Sequence, residues 1–356
     1  MSDPLAFLRP ELNQLQAYAV PDASGLVKLD AMENPYDLPA DIKSKWLQFL
    51  NSAQINRYPE PDPEKLKQKL QDQFGPKDTS ALLLGNGSDE LIQLLVMAIA
   101  KPDACILSVT PSFSMYEMIG DIVGVESYSV SLDQDYELDC AAILAAIEKY
   151  NPALLFLAYP NNPTGNLWNR ADIEKIVKAS NGFVIIDEAY GPFANDSFVD
   201  DLSQYKNMLL LRTASKLGLA GIRFGWLAGD RDAIAELNKL RLPYNINQLT
   251  QLTLEFALDN YSLFSQQAQA ICDSRAKLFS ALNELKGIQA FPSEANFILI
   301  KVLEKDVTQV FENLLDQKVL IKNLSKQTGL ERCLRITVGT EEENKKLLDA
   351  LNQALA

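Results

Sequence analysis

Short apolar runs alternate with helix-like segments through the middle of this 356-residue chain. Runs that alternate in this way indicate parallel strands buried on both faces, because helices pack on each side of the sheet. The sequence therefore predicts an α/β fold with a doubly wound, mostly parallel sheet over residues from about 85 to 230. The four clearest runs, each four to six residues long, are 104–109, 153–158, 183–186 and 208–211.

The C-terminal part of the chain has a different pattern, in which helices flank an alternating strand. Apolar residues at helical spacing between Val307 and Leu315 predict one amphipathic helix. Thr340 and Glu343 have the spacing of a capping box that opens a second helix, and residues 334–338 alternate like a half-buried strand. This pattern predicts a smaller α+β domain that the N-terminal arm completes.

These patterns divide the chain into four segments. We expect residues 1–30 to form an irregular N-terminal arm, because prolines and a glycine punctuate them. Residues 31–50 are expected to be a linker or a segment of the small domain. Residues 51–245 are expected to form the large domain, and residues 246–356 the small C-terminal domain.

The chain contains no histidine, and 47 acidic residues against 33 basic residues give it a net charge of −14. Without histidine it cannot build a Ser-His-Asp or Cys-His catalytic system or a histidine-ligated metal site, so we expect no metal. A phosphate backbone needs a basic surface, so the charge argues against nucleic acid, and it also disfavours an anionic membrane.

The four cysteines are scattered without a CxxC pair, which is typical of free thiols in a reducing compartment. The first ten residues lack the pattern of a secretory signal. The longest apolar run, residues 94–100, is far too short to span a bilayer. We therefore expect a cytoplasmic protein without membrane contacts.

Unusual residues follow the predicted strands, where functional groups of open α/β sheets collect. The first group is the turn Gly-Asn-Gly-Ser-Asp-Glu at 85–90, whose amides at a helix start can bind an anion. The turn is neither a Walker A loop nor a Rossmann fingerprint. Taken alone, it is slightly better explained as a tight turn with Ser88 or Asp89 as the helix N-cap.

Two charged residues sit in apolar surroundings. Asp187 ends an apolar strand, so its buried carboxylate needs a cationic partner. Taken alone, a structural role as a helix cap or in an ion pair explains this residue as well as a functional role does. Lys216 lies in a loop rich in Gly and Leu, where desolvation would make it a nucleophile suited to Schiff-base formation. The alternative is a solvated surface lysine. Asn-Pro-Thr-Gly at 162–165 could be only a turn.

Together, these motifs and their spacing are far more specific than any one motif alone. Asn162 precedes Asp187 by 25 residues, Asp187 precedes Lys216 by 29, and Lys216 precedes Arg223 by 7. In motif order and spacing, the chain resembles the fold-type I pyridoxal-phosphate-dependent aminotransferases over essentially its whole length. Within that family it is most similar to the histidinol-phosphate aminotransferases. The segments that carry this closer resemblance are Glu-Asn-Pro-Tyr at 33–36, Asn-Arg-Tyr-Pro at 56–59, Gly-Ser-Asp-Glu at 87–90 and Leu-Arg-Ile-Thr-Val-Gly at 334–339.

The resemblance implies roles for individual residues around pyridoxal 5′-phosphate. Lys216 would be the Schiff-base and proton-transferring lysine, and Asp187 would pair with the pyridinium nitrogen. Asn162 and Tyr190 would contact the ring oxygen, and Phe113 would stack on the ring at a position where the family often has tyrosine. The implied phosphate contacts are Ser88, Asp89, Ser215, Arg223 and, from the partner subunit of a homodimer, Tyr58.

The implied substrate contacts are Tyr18, Asn162, Lys322 and Arg335. The implied reaction is transamination of histidinol phosphate, a phosphorylated amino alcohol, with glutamate and 2-oxoglutarate as the second pair. Some relatives have arginine at the position of Lys322, so bidentate phosphate binding there stays open.

Three alternatives remain at this point. An aminotransferase for aromatic or other amino acids would share every cofactor residue, and a decarboxylase of a phosphorylated amino acid is a second possibility. The third is a non-catalytic pyridoxal-phosphate-binding regulator. The joint presence of Lys216, Asp187, Asn162 and Tyr190 argues against this last one.

Overall fold

The computed structural model describes residues 3–9, 12, 20–75 and 80–356. The strands in these ranges are β1 (Val27–Leu29), β2 (Ser80–Gly85), β3 (Cys105–Thr110), β4 (Glu126–Ser131), β5 (Leu154–Ala158), β6 (Phe183–Asp187), β7 (Met208–Thr213), β8 (Gly225–Asp230), β9 (Ile288–Ala290), β10 (Phe297–Val302), β11 (Val319–Asn323) and β12 (Cys333–Thr337). The α-helices are α1 (Ala40–Leu50), α2 (Glu64–Phe74), α3 (Ser88–Ile99), α4 (Met115–Val123), α5 (Cys140–Tyr150), α6 (Arg170–Ala179), α7 (Arg231–Asn238), α8 (Gln248–Asp259), α9 (Tyr261–Glu284), α10 (Val307–Asp316) and α11 (Glu341–Leu355).

Seven strands form the larger sheet, in the order β2-β8-β7-β6-β5-β3-β4. Strands β4, β3, β5, β6 and β7 are parallel to their neighbours, whereas β8 runs antiparallel to both β7 and β2. The four predicted runs are the inner parallel strands β3, β5, β6 and β7. The predicted α/β fold with a doubly wound, mostly parallel sheet is therefore confirmed.

Each inner strand is apolar on both faces because helices cover both sides of the sheet. Ile185 packs into a cluster with Leu91 of α3, whereas the next residue, Ile186, packs on the other face with Ile173 of α6. All four of these side chains are almost completely buried. Burial of each stabilises the fold by about 1.5–3 kcal/mol relative to exposure.

The smaller sheet has five strands, in the order β1-β11-β12-β10-β9. Strand β1, from the predicted arm, pairs in parallel with β11. The two predicted C-terminal helices are α10 and α11, and Thr340 and Glu343 form the predicted capping box. The three predicted boundaries between the four segments stay a prediction.

The prediction that residues 334–338 form a half-buried strand is wrong. Every residue of β12 is buried, because this strand lies in the centre of its sheet with one face on the small-domain core and the other toward the larger sheet. Leu334 and Ile336 belong to the core, and Arg335 on the opposite face contacts Asn162, which follows β5. Within the described residues, no helix is both long and apolar enough to cross a membrane.

Candidate active site

A cavity of about 260 Å³ lies at the carboxyl ends of β5, β6 and β7, next to the N-terminus of α3. Its size is close to the lower end of the range for small-molecule sites. The segment from Ala31 to Glu33, which follows β1, closes one side. The predicted site residues that line the cavity are Ser88, Asp89, Phe113, Asn162, Asp187, Tyr190, Ser215, Lys216 and Arg223.

Lys216 sits in a single helical turn that directly follows β7. Its side chain is half-buried in the cavity wall, and its Nζ donates to the Ala31 carbonyl oxygen at 3.4 Å. Burial is the main cause that lowers the pKa of Lys216 to about 8, and the positive charge of Arg335 contributes to the same shift. This position in the cavity lining argues against a solvated surface lysine, and among the described residues no carboxylate forms an ion pair with the amine.

Asp187 is the last residue of β6 and is buried. Its Oδ2 accepts a hydrogen bond from Tyr116 Oη at 2.7 Å, and its Oδ1 accepts one from the Ala189 amide at 3.0 Å. Burial raises the pKa of Asp187 to about 6, although both hydrogen bonds act to lower it. Both donors are neutral, so no described residue is the cationic partner expected for Asp187, and its pairing with a pyridinium nitrogen stays a prediction.

The turn before α3 has the geometry of an anion site. Gly87 adopts a φ of 84°, and the helix begins at Ser88 with no side chain capping it. The explanation in which Ser88 or Asp89 is the N-cap is therefore wrong, because Gly87 takes that position. A Cβ at Gly87 would lie 2.7 Å from Nη2 of Arg223, which also donates to Asp89 at 3.0 Å. The uncapped helix start and Arg223 together favour a bound anion.

The smaller sheet reaches the edge of this site through Arg335, which contacts the cavity-lining Asn162 but does not line the cavity itself. Arg335 of β12 is buried, and its two terminal nitrogens donate to Asn162 Oδ1 and to the Asp30 carbonyl oxygen. Lys322 of β11 is the direct cross-strand partner of Arg335, so their side chains share one face of the smaller sheet. Tyr190, which lines the cavity, is buried, and burial raises the pKa of its phenol well above its usual value.

Three of the predicted residues in the described ranges do not line the cavity: Tyr58, Lys322 and Arg335. Tyr58 is 80% exposed and stacks on Tyr244, with ring centroids 4.6 Å apart. Tyr18 lies outside the described residues. The role of Tyr58 at a partner's site stays a prediction, as does the substrate contact of Tyr18.

The sequence analysis missed Tyr116, which lines the cavity and binds Asp187. A signal for it exists in the chain: Tyr116 lies in the first turn of α4, only three residues after Phe113, which precedes the helix. Their rings are in edge contact, with centroids 5.5 Å apart and planes at 86°. Among the described residues, no group of three histidine, cysteine or acidic side chains could hold a metal ion.

Comparison with known proteins identifies the family of this chain. The model for the aminotransferase class I and II family matches residues 24–351. A histidinol-phosphate aminotransferase of Nitrosococcus oceani is 46% identical over 346 residues, which cover 97% of this chain and 96% of that relative. One of Polaromonas naphthalenivorans is 46% identical over 352 residues, with 98% of this chain and 96% of that relative covered.

A solved structure shares the fold. The histidinol-phosphate aminotransferase of Sinorhizobium meliloti, in complex with pyridoxal 5′-phosphate, superposes with a TM-score of 0.87 at 21% identity, and the match covers 98% of each chain. The family model and the two relatives span nearly all of this chain. The resemblance found in its motifs is therefore confirmed: the chain belongs to the aminotransferase class I and II family.

Proposed function

We propose that this chain catalyses the pyridoxal-phosphate-dependent transamination of histidinol phosphate, with glutamate and 2-oxoglutarate as the second pair. One observation carries the proposal: a buried carboxylate without a cationic partner in the described residues, Asp187, and an amine of lowered pKa, Lys216, line the same cavity beside an uncapped helix start. The names of the relatives support the choice of substrate.

The residues present fit the cofactor by their chemistry. Pyridoxal phosphate, when bound, supplies an electron-withdrawing ring that stabilises negative charge at the substrate Cα. The Lys216 amine would hold its aldehyde carbon, and the Asp187 carboxylate would keep the ring nitrogen protonated. The start of α3 and Arg223 would hold the phosphate, together with the Ser215 hydroxyl, which lies 2.9 Å from the Thr213 hydroxyl. Phe113 would pack against the ring, and Asn162 and Tyr190 would bind its oxygen.

Lys216 would also move the substrate proton. With a pKa of about 8, roughly a quarter of its side chains are neutral at pH 7.5. A neutral amine in the cavity can accept the Cα proton and return it at another carbon. A lysine at its usual pKa would be almost entirely protonated at this pH and unable to act as the base.

Arg335 and Lys322 would bind the anionic end of each substrate. They share one face of the smaller sheet, so two positive charges stand side by side. Histidinol phosphate has no carboxylate, so its phosphate would use these cations, and a carboxylate of glutamate would use the same cations in the second half-reaction. Tyr18 would be a further substrate contact.

We further propose that the enzyme is a cytoplasmic homodimer with shared active sites. Tyr58 lies in an exposed loop with other exposed apolar side chains nearby in sequence, Leu47 and Ile55, and such side chains are typical of interfaces. A C2 dimer would carry Tyr58 to the partner's cofactor phosphate. The four cysteines are free thiols, which is typical of a reducing compartment.

A panel of amines tests the substrate. Purified protein loaded with pyridoxal phosphate is mixed with 2-oxoglutarate and with histidinol phosphate, histidine or phenylalanine, and glutamate formation is followed. We expect kcat/KM to be highest for histidinol phosphate. Equal turnover of phenylalanine would indicate a broader aminotransferase, and release of carbon dioxide a decarboxylase. Loaded protein that turns over no amine would be a regulator.

A further inference from the structure

Tyr116 is a polar side chain of the cavity lining that is held from several sides. Its ring is fully buried and stacks on Phe156, with centroids 4.5 Å apart and planes at 10°. The edge contact with Phe113 holds it from a second side. Because both contacts fix the ring, the hydroxyl oxygen is fixed 2.7 Å from Oδ2 of Asp187.

The charges around Asp187 make this hydrogen bond important. Asp89 from α3 and the neighbouring Glu188 are carboxylates, and both disfavour a negative charge on Asp187. Tyr190, which follows in the same turn, is a neutral phenol because its pKa is raised. Burial and the two like charges raise the pKa of Asp187. The hydroxyl of Tyr116 acts to lower it, because a hydrogen-bond donor favours the ionised form of a carboxylate.

A neutral donor suits a carboxylate that must pair with a cationic ring. An arginine in the place of Tyr116 would neutralise Asp187 and compete with the pyridinium nitrogen for its charge. A phenol occupies only one of the lone-pair sites of a carboxylate oxygen and leaves the net charge in place. The two donors on Asp187, Tyr116 and the Ala189 amide, thus leave it able to accept a further bond.

We propose that Tyr116 is a positioning residue, whose buried hydroxyl fixes the orientation of the Asp187 carboxylate and favours its ionised form for pairing with the cofactor ring nitrogen. This inference rests on the proposed function, because it gives Asp187 the same role. It adds a residue whose role is exerted through Asp187.

The test is the pH dependence of pyridoxal-phosphate binding to the cofactor-free full chain, measured by absorbance titration between pH 5.5 and 8.5. The variants are Tyr116→Phe, which keeps the packed ring, and Tyr159→Phe as the matched control. Tyr159 is also buried and donates to a carboxylate, Asp196, at 2.8 Å, but that carboxylate lies outside the cavity. Circular dichroism checks that each variant is folded.

Loss of the hydroxyl should raise the pKa of Asp187, so affinity should begin to fall about one to two pH units higher in Tyr116→Phe than in the unchanged chain. Tyr159→Phe should bind like the unchanged chain. A second probe, an analogue with carbon in place of the ring nitrogen, cannot pair with Asp187. Tyr116→Phe should therefore not weaken binding of that analogue.

Identical pH curves for Tyr116→Phe and the unchanged chain would overturn the inference and leave the proposed function standing. Equal weakening of both probes would also overturn it, because the effect would then not pass through the ring nitrogen. An unchanged chain that does not bind pyridoxal phosphate would overturn the proposed function itself. If Tyr116→Phe does not fold, the pH curve of Tyr116→Leu must show the same upward shift. A Tyr116→Leu curve without this shift would overturn the inference.

Discussion

The lowered pKa of Lys216 predicts an unusually reactive lysine in the cofactor-free chain. Burial and the charge of Arg335 lower this pKa from 10.5 to about 8. At pH 8 about half of the Lys216 side chains are then neutral, against roughly 0.3% of lysines at the usual value, a difference of about 150-fold. The neutral form is the one that reacts with electrophiles, so Lys216 should be modified first.

Competitive acetylation between pH 6.5 and 10.5, read out by mass spectrometry of peptides, measures this difference. The internal reference is Lys345, which is exposed and pairs with Asp349 at 2.9 Å, a contact that raises its pKa. We expect the modification of Lys216 to have its midpoint near pH 8, and that of Lys345 to have its midpoint above the usual lysine value.

Arg335→Leu extends the test. Loss of the positive charge removes a cause that lowers the pKa of Lys216, so the midpoint should move upward but stay below 10.5, because burial remains. The matched control is Arg332→Leu, which also removes one positive charge but from an arginine that donates to the main-chain carbonyls of Val302 and Leu303. A midpoint for Lys216 that matches that of Lys345 would refute the reasoning.

Three further predictions concern catalysis and assembly. Asp187→Asn should keep the fold and still carry cofactor at saturating pyridoxal phosphate, but it should bind it more weakly and lose most activity, because asparagine cannot keep the ring nitrogen protonated; near-normal kcat would contradict this role. Arg335→Leu should lower kcat/KM at least about tenfold for histidinol phosphate and glutamate. Lys322→Ala should lower kcat/KM for histidinol phosphate more than for phenylalanine, and equal losses for these two amines would contradict the phosphate contact. Mixing inactive Tyr58→Phe and Lys216→Ala protomers should restore activity, and an active monomer in sedimentation would refute shared sites.

The inner strands were predictable because burial on both faces leaves uninterrupted apolar runs in the sequence. Two strands of the larger sheet left no such signal. β4 is an edge strand with mostly polar, partly exposed residues. β8 contains two glycines, and a Cβ at Gly225 would lie 2.7 Å from the Ser88 amide. A glycine in a strand marks a close approach, but only the fold shows which neighbour approaches.

The site residues were predictable where the spacing of sequence motifs indicates them. They were not predictable where their position depends on contacts between segments far apart in sequence. The resemblance placed Asp187 and Lys216 in one site, and they line one cavity. The partner of Asp187 could not be predicted, because Tyr116 lies 71 residues away and reaches it only when α4 packs on the sheet. The burial of Arg335 likewise depends on the segment after β5, far from β12 in sequence.

The central claim is that this cavity holds pyridoxal phosphate on Lys216. The most direct measurement is borohydride reduction of the cofactor-loaded protein, followed by proteolysis and mapping of the labelled peptide. The account predicts one pyridoxyl group per chain, attached to Lys216, and no label in Lys216→Ala. A label on any other lysine, or an unlabelled chain, would contradict it.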